Sequence, residues 1–156
     1  MNPIPKAYVT PTPYLIVRGA AKAIEWYTNA FGAEEYVRLA DSSGHVMHAE
    51  IRIGESPLML ADEFPDEGFS SPDTIGGSPV LLLLYVENVD EVFERAIRMG
   101  ALARKAVSDQ FDGDRRGTLS DPFGHTWLLA SRLENLSAST MKERFNELMS
   151  GGSEPT

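Results

Sequence analysis

The sequence predicts an α+β fold of tandem βαβββ modules. Their curved mixed sheets surround a cavity, and a C-terminal helix follows. Three observations carry that prediction. The order strand, helix, three strands occurs twice. An offset of 69 residues relates Val17 to Val86 and Ala61 to Ala130, and an offset of 68 relates Gly32 to Gly100. The strands also alternate, so that one face is nearly pure hydrocarbon and the other mixed.

Each element has its own signal. Tyr14 to Val17 is a short apolar run behind Pro11 and Pro13 and reads as a strand. Ala20, Ala23, Ile24, Tyr27, Ala30 and Phe31 then recur at three- and four-residue steps, a helix stripe stopped by Gly32. Trp26, Tyr27 and Phe31 read as packing residues of that helix. Tyr36 to Ala40 is a second strand, and Asp41 to Gly44 a turn. Val46 to Ile53 alternates, with His48, Glu50 and Arg52 on one side and Ala49, Ile51 and Ile53 on the other. Pro57 to Ala61 is the fourth strand.

Residues 63–78 are polar and rich in Pro and Gly, and read as a linker. Phe64 and Phe69 within it are candidates for a lid. Val80 to Val86 opens the second module. Asn88 or Asp90 caps a helix stopped by Gly100. Ala101 to Val107 and Arg115 to Ser120 are strands. Asp121, Pro122 and Gly124 stand where a type I turn wants them, and His125 to Ala130 is the last strand. Residues 137–149 form a third long helix, with Thr140 and Glu143 at capping-box spacing. The tail, Gly151 to Thr156, is expected to fray. The organisation expected is a single domain over 1–156: module one at about 10–62, the linker, module two at about 79–131, then the helix.

Composition narrows function. The 156 residues carry a formal net charge of -9, which repels phosphate backbones and anionic lipid. Nucleic acid and membrane surfaces are therefore not expected partners, and a cationic or aromatic small molecule is. There is no cysteine, so disulfides, thiolate metal sites and a Cys nucleophile are excluded. The N-terminus carries no apolar signal segment, and the longest apolar run, Val80 to Val86, is too short to span a bilayer. A soluble cytoplasmic protein is expected.

The mixed face suits a cavity better than a core, because buried polar groups need partners. Its ligand-binding candidates are Tyr14, His48, Glu50, Arg52 and Met59 from module one. Leu81, Tyr85, Arg116 and Leu128 are those from module two. His48 and Glu50, one residue apart on a strand face, are the candidate catalytic pair. Tyr14 and Tyr85 offer faces for stacking on a flat or cationic ligand. His45, beside a turn, and His125, after the Pro-Phe-Gly turn, read as solvent-facing.

Four segments carry a resemblance: Thr12 to Ala20 (TPYLIVRGA), Phe31 to Ala33 (FGA), His48 to Gly54 (HAEIRIG) and Asp121 to Trp127 (DPFGHTW). Together they resemble the PhnB-like branch of the vicinal oxygen chelate superfamily, which includes glyoxalase I, extradiol dioxygenases, fosfomycin resistance enzymes and bleomycin-binding proteins. The resemblance implies tandem βαβββ modules, often a homodimer, and a cavity under the curved sheets. In the superfamily's metalloenzymes, His and Glu from the first and fourth strands of each module hold a divalent ion. The corresponding places here are Thr12, Met59, Leu81 and Leu128. None is a usual ligand for such an ion. No metal and no cofactor are therefore expected. The expected function is metal-free binding of a small molecule, as in drug binding or sequestration. The alternative is a glyoxalase-like lyase or isomerase, metal-dependent or not, with His48 and Glu50 as ligands or as acid and base. A third reading, an interaction module docking through its C-terminal helix, ranks behind both.

Overall fold

The computed structural model describes residues 1–151. In chain order it runs β1 (Tyr14–Val17), α1 (Ala20–Phe31), β2 (Glu34–Ala40), β3 (Val46–Ile53) and β4 (Ser56–Asp62). A 3-10 turn (Pro65–Glu67) and a short helix α2 (Pro72–Ile75) follow. Then come β5 (Leu81–Tyr85), α3 (Val89–Arg98), β6 (Leu102–Asp109), β7 (Asp114–Ser120), β8 (Thr126–Arg132) and α4 (Ala138–Ser150). The strands form two four-stranded sheets of identical topology, β1-β4-β3-β2 and β5-β8-β7-β6. In each, the first strand pairs parallel to the fourth and the remaining pairs are antiparallel. The duplication read from spacing is thus a duplication of topology.

Burial follows the alternation. Ala49, Ile51 and Ile53 of β3 are buried, while His48, Glu50 and Arg52 are not. One continuous core holds α1, α3 and the helix-facing side of both sheets. Trp26, Tyr27 and Phe31 are buried in it as expected, and the rings of Phe31 and Trp127 lie 4.8 Å apart. Hydrogen bonds join the halves at this seam. The Tyr27 hydroxyl donates to Asp121 Oδ2 at 2.5 Å, and Trp127 Nε1 donates to the same oxygen at 2.9 Å. The Trp26 indole donates to the Met99 carbonyl at 2.8 Å. Asp121 also opens the expected turn, with its Oδ1 accepting the N–H groups of Phe123 and His125.

The start of α1 is capped from a distance. The N-cap of α1 is Gly19, at φ 89, where no side chain is available. Asp62 supplies the acceptor: its Oδ1 takes the N–H groups of Gly19 and Ala20, each at 2.8 Å, and its Oδ2 takes that of Val46 at 2.8 Å. In α3, Asn88 caps as expected, accepting from Glu91 N.

Three expectations need correction. The linker is not featureless: Ser71 caps α2, and Glu63 ties Arg18, Ser71 and Thr74 together. The last helix lies where expected, but its cap is Ser137, which accepts from Thr140 N at 3.1 Å, rather than the Thr140 and Glu143 pair. Neither His45 nor His125 simply faces solvent. His45 packs edge-on against Phe64, and His125 Nε2 lies 3.0 Å from the Ile16 carbonyl on the edge strand β1, bridging the two halves. Residues 152–156, expected to fray, lie outside the described residues. No helix among the described residues is long and apolar enough to cross a membrane.

Candidate functional site

The mixed face of the first sheet is assembled by register. Tyr14 of β1 sits beside Met59 of β4, and Met59 beside Glu50 of β3. His48 shares the face one step away along β3. That placement closes a chain of hydrogen bonds. The Tyr14 hydroxyl lies 2.7 Å from His48 Nδ1, and His48 Nε2 lies 3.3 Å from Glu50 Oε1. The Tyr8 hydroxyl donates to the other oxygen, Glu50 Oε2. A neutral imidazole satisfies both neighbours when its proton sits on Nε2: it then donates to Glu50 and accepts from Tyr14. The Tyr8 bond, helped by His48, holds the Glu50 carboxyl below the usual carboxylate range against the opposing effect of burial. Burial pushes the Tyr14 phenol up. Arg52, next along the face, places its guanidinium 5.0 Å from the centre of the Tyr36 ring.

Tyr14 also lines a pocket of about 290 Å³. Ile16, Met47, Ala61, Phe64 and Phe69 give it an apolar lining, which Asp62 shares. Those two phenylalanines form a narrow hairpin, each N–H donating to the other's carbonyl, at 2.7 and 3.0 Å. Glu67 supplies a carboxylate at the rim. Sequence reasoning singled out Phe64 and Phe69, and alternation puts Ile16 and Ala61 on the mixed face with Tyr14, but Met47 had no such signal.

The mixed face of the second sheet is different. Leu83 pairs with Leu128, and Leu128 with Thr118. Beyond them Tyr85 donates to Asp114 Oδ2 at 2.6 Å, Arg132 pairs with Asp114 Oδ1, and Arg116 approaches at 3.4 Å. Burial works to raise the Asp114 carboxyl, but the Tyr85 hydroxyl, Arg132 and Arg116 outweigh it and hold it low. Asp114 was missed because the Gly113 turn placed the start of the strand at Arg115. Alternation with Arg116 was the available signal.

The sequence-predicted residues therefore fall into two sets. Tyr14, His48, Glu50, Arg52 and Met59 share the first face. Leu81, Tyr85, Arg116 and Leu128 share the second, and among the described residues no hydrogen bond joins the sets. Within one chain both faces stay open: Tyr14, Leu81, Leu83 and Tyr85 are 46%, 49%, 51% and 47% exposed.

A duplicated βαβββ chain with a ligand-sized pocket on one mixed face defines a class, and comparison with known proteins agrees. The chain belongs to the glyoxalase/bleomycin resistance protein/dioxygenase superfamily, whose model matches residues 7–129. It is thus a vicinal oxygen chelate protein. It is 40% identical over 129 residues to an uncharacterized protein of Mycobacterium tuberculosis, covering 81% of this chain and 76% of that one. A solved Arabidopsis thaliana gene product shares 28% identity at a TM-score of 0.65, over 79% of this chain and 98% of that chain. The fold alone is shared with the PhnB protein from Bacillus cereus, at 20% identity and a TM-score of 0.64, over 78% of this chain and 98% of that chain. It is shared too with FosX, a fosfomycin resistance protein of Listeria monocytogenes crystallised with Mn(II) and sulfate. That match has 18% identity and a TM-score of 0.63, and covers 88% of this chain and 98% of that chain.

The superfamily's divalent ion does not fit these residues. Thr12, Met59, Leu81 and Leu128 offer one hydroxyl, a thioether and two hydrocarbons. Among the described residues no three His, Asp or Glu side chains are grouped to hold an ion.

Proposed function

We propose that the protein binds a flat aromatic or cationic small molecule without a metal, in the manner of drug binding or sequestration. The observation that carries this reading is the apolar pocket beside Tyr14, walled by Phe64 and Phe69, in a fold whose metal positions hold no ligating set. Sequestration needs affinity only, and aromatic walls with a rim carboxylate supply it for a planar cation. The net charge of -9 draws such a ligand in and disfavours nucleic acid and anionic membranes as partners. Cytoplasmic residence belongs to the same reading.

A homodimer is part of the proposal. Leu81, Leu83, Tyr85 and Tyr14 leave apolar surface half-exposed on both mixed faces, and a second copy laid against them encloses the cavity. The test is a thermal-shift titration of purified protein with bleomycin, ethidium and a thiol adduct of an α-oxoaldehyde, alongside elemental analysis. The reading expects an upward shift with a planar cation and no stoichiometric metal. Stoichiometric Mn, Ni, Zn or Fe together with turnover of the adduct overturns it in favour of a metal-dependent lyase or isomerase.

A further inference from the structure

We propose that Tyr14, His48 and Glu50 form a metal-free proton relay serving the pocket beside Tyr14, so that the site moves a proton on the molecule it holds. The inference rests on the reading of that pocket as the ligand site. Tyr14 is the relay member that lines the pocket; His48 and Glu50 are not among its walls. The order of bonds is that of a nucleophile or base activated by an imidazole and oriented by a carboxylate. Tyr14 Oη meets His48 Nδ1 at 2.7 Å, and His48 Nε2 meets Glu50 Oε1 at 3.3 Å. Tyr8 fixes the far oxygen of Glu50.

The second sheet shows that the fold does not require this chain of bonds. The row Tyr14, Met59, Glu50 in the first sheet corresponds to Leu83, Leu128, Thr118 in the second. His48, two residues before Glu50, corresponds to Arg116, two before Thr118. The same strands thus hold together with leucine, arginine and threonine in place of hydroxyl, imidazole and carboxylate. Nor are the three groups buried as a core brace: Tyr14 is 46% exposed and the side chains of His48 and Glu50 are each 26% exposed.

The step balances within the site. Tyr14 Oη takes a proton from an acidic C–H of the bound molecule while its own proton passes to His48 Nδ1. The electron pair of the broken C–H bond stays on the ligand as a carbanion or enolate, or expels a leaving group from the adjacent atom. The imidazolium formed is balanced by the Glu50 carboxylate. Reversal returns the proton to the same carbon or to a neighbouring one, which is an isomerisation; expulsion of a leaving group is an elimination. The substrate class is a flat, largely apolar molecule with an activated C–H bond. Tyr14 and His48 are catalytic residues in this account, and Glu50 is a positioning residue.

The test uses 5-nitrobenzisoxazole, whose ring opens on loss of one C–H proton to give a coloured cyanonitrophenolate, in buffer containing EDTA. We expect saturable turnover. Tyr14→Phe and His48→Gln should each lower kcat by about a hundredfold, the low end for general acid–base catalysis. Glu50→Gln should lower kcat at unchanged KM, whereas a merely structural role would move KM or the melting temperature. Variants with wild-type melting temperatures make these comparisons valid. Saturable turnover at equal rates in wild type and His48→Gln overturns the relay and leaves the binding pocket standing. A rate that never saturates, with no thermal shift by the probe, overturns the pocket reading and the relay with it. Turnover seen only when EDTA is left out of the buffer overturns the metal-free claim.

Discussion

Asp62 and Ser131 are structural equivalents, 69 residues apart, and each gives a side-chain oxygen to the first turn of its own helix. Asp62 accepts from Gly19 and Ala20, and Ser131 accepts from Val89 at 2.9 Å while donating to the Val86 carbonyl at 2.7 Å. The end of each fourth strand is thus locked to the start of each helix. The carboxylate does more, because it also takes the Val46 N–H and is only 7% exposed. Asp62→Ala strands three donors and should cost about 3 kcal/mol, against about 1 kcal/mol for Ser131→Ala. Urea denaturation measures both; equal costs would show that the additional bonds Asp62 accepts, from the second helix-start N–H and from Val46, contribute nothing.

Glu63 anchors the linker and should remain ionised far into acid. The Thr74 hydroxyl, then Ser71 and Arg18, draw its pKa down to about 2, from an ordinary 4.5. A carboxyl with a depressed folded pKa contributes stability that is present above its unfolded value and is lost as pH falls toward the folded one. The window here runs from 4.5 down to about 2. Carbon NMR of the Glu63 carboxyl should show its midpoint near the lower end, and Glu63→Gln should flatten the acid limb of stability in that window. A midpoint near 4 would dissolve the anchor.

The Tyr27 hydroxyl is one of the polar links between the halves, and Tyr27→Phe leaves Asp121 a buried carboxylate with one donor fewer. The expected loss is about 1–3 kcal/mol by denaturant unfolding. A neutral result would mean that Trp127 and the turn N–H groups suffice.

Leu83→Glu places a charge on the half-exposed second face. If a second copy covers that face, the variant should run as a monomer in light scattering while keeping its circular dichroism. A dimer that persists places the interface elsewhere, for instance on α4, whose Phe145 and Leu148 are also half-exposed.

The elements were legible because each obeyed one local rule. The alternation of Val46 to Ile53 became a strand with those limits, and the stripe from Ala20 to Phe31 became a helix with those limits. The site was only half legible. His48 and Glu50 share a strand, so periodicity put them together. Tyr14 reaches them because β1 pairs with β4 rather than with its sequence neighbours, which no local pattern states. Tyr8 sits in a proline-rich lead without periodicity, so its bond to Glu50 had no local signal. The helix α2 has a local start signal, Ser71 at its N-cap and Pro72 behind it, but its four residues are too few to show an apolar stripe, and Glu63 steadies its first turn. His125 looked solvent-facing because its acceptor, the Ile16 carbonyl, belongs to the other half.

Metal-free binding is tested most directly by isothermal titration of ethidium into EDTA-treated protein, repeated after adding Mn²⁺. The account predicts saturable binding, the same affinity with and without the metal, and at least about tenfold weaker binding in Phe69→Ala, the loss expected when roughly 1.4 kcal/mol of contact is removed. Binding that vanishes on chelation and returns with Mn²⁺ would contradict it.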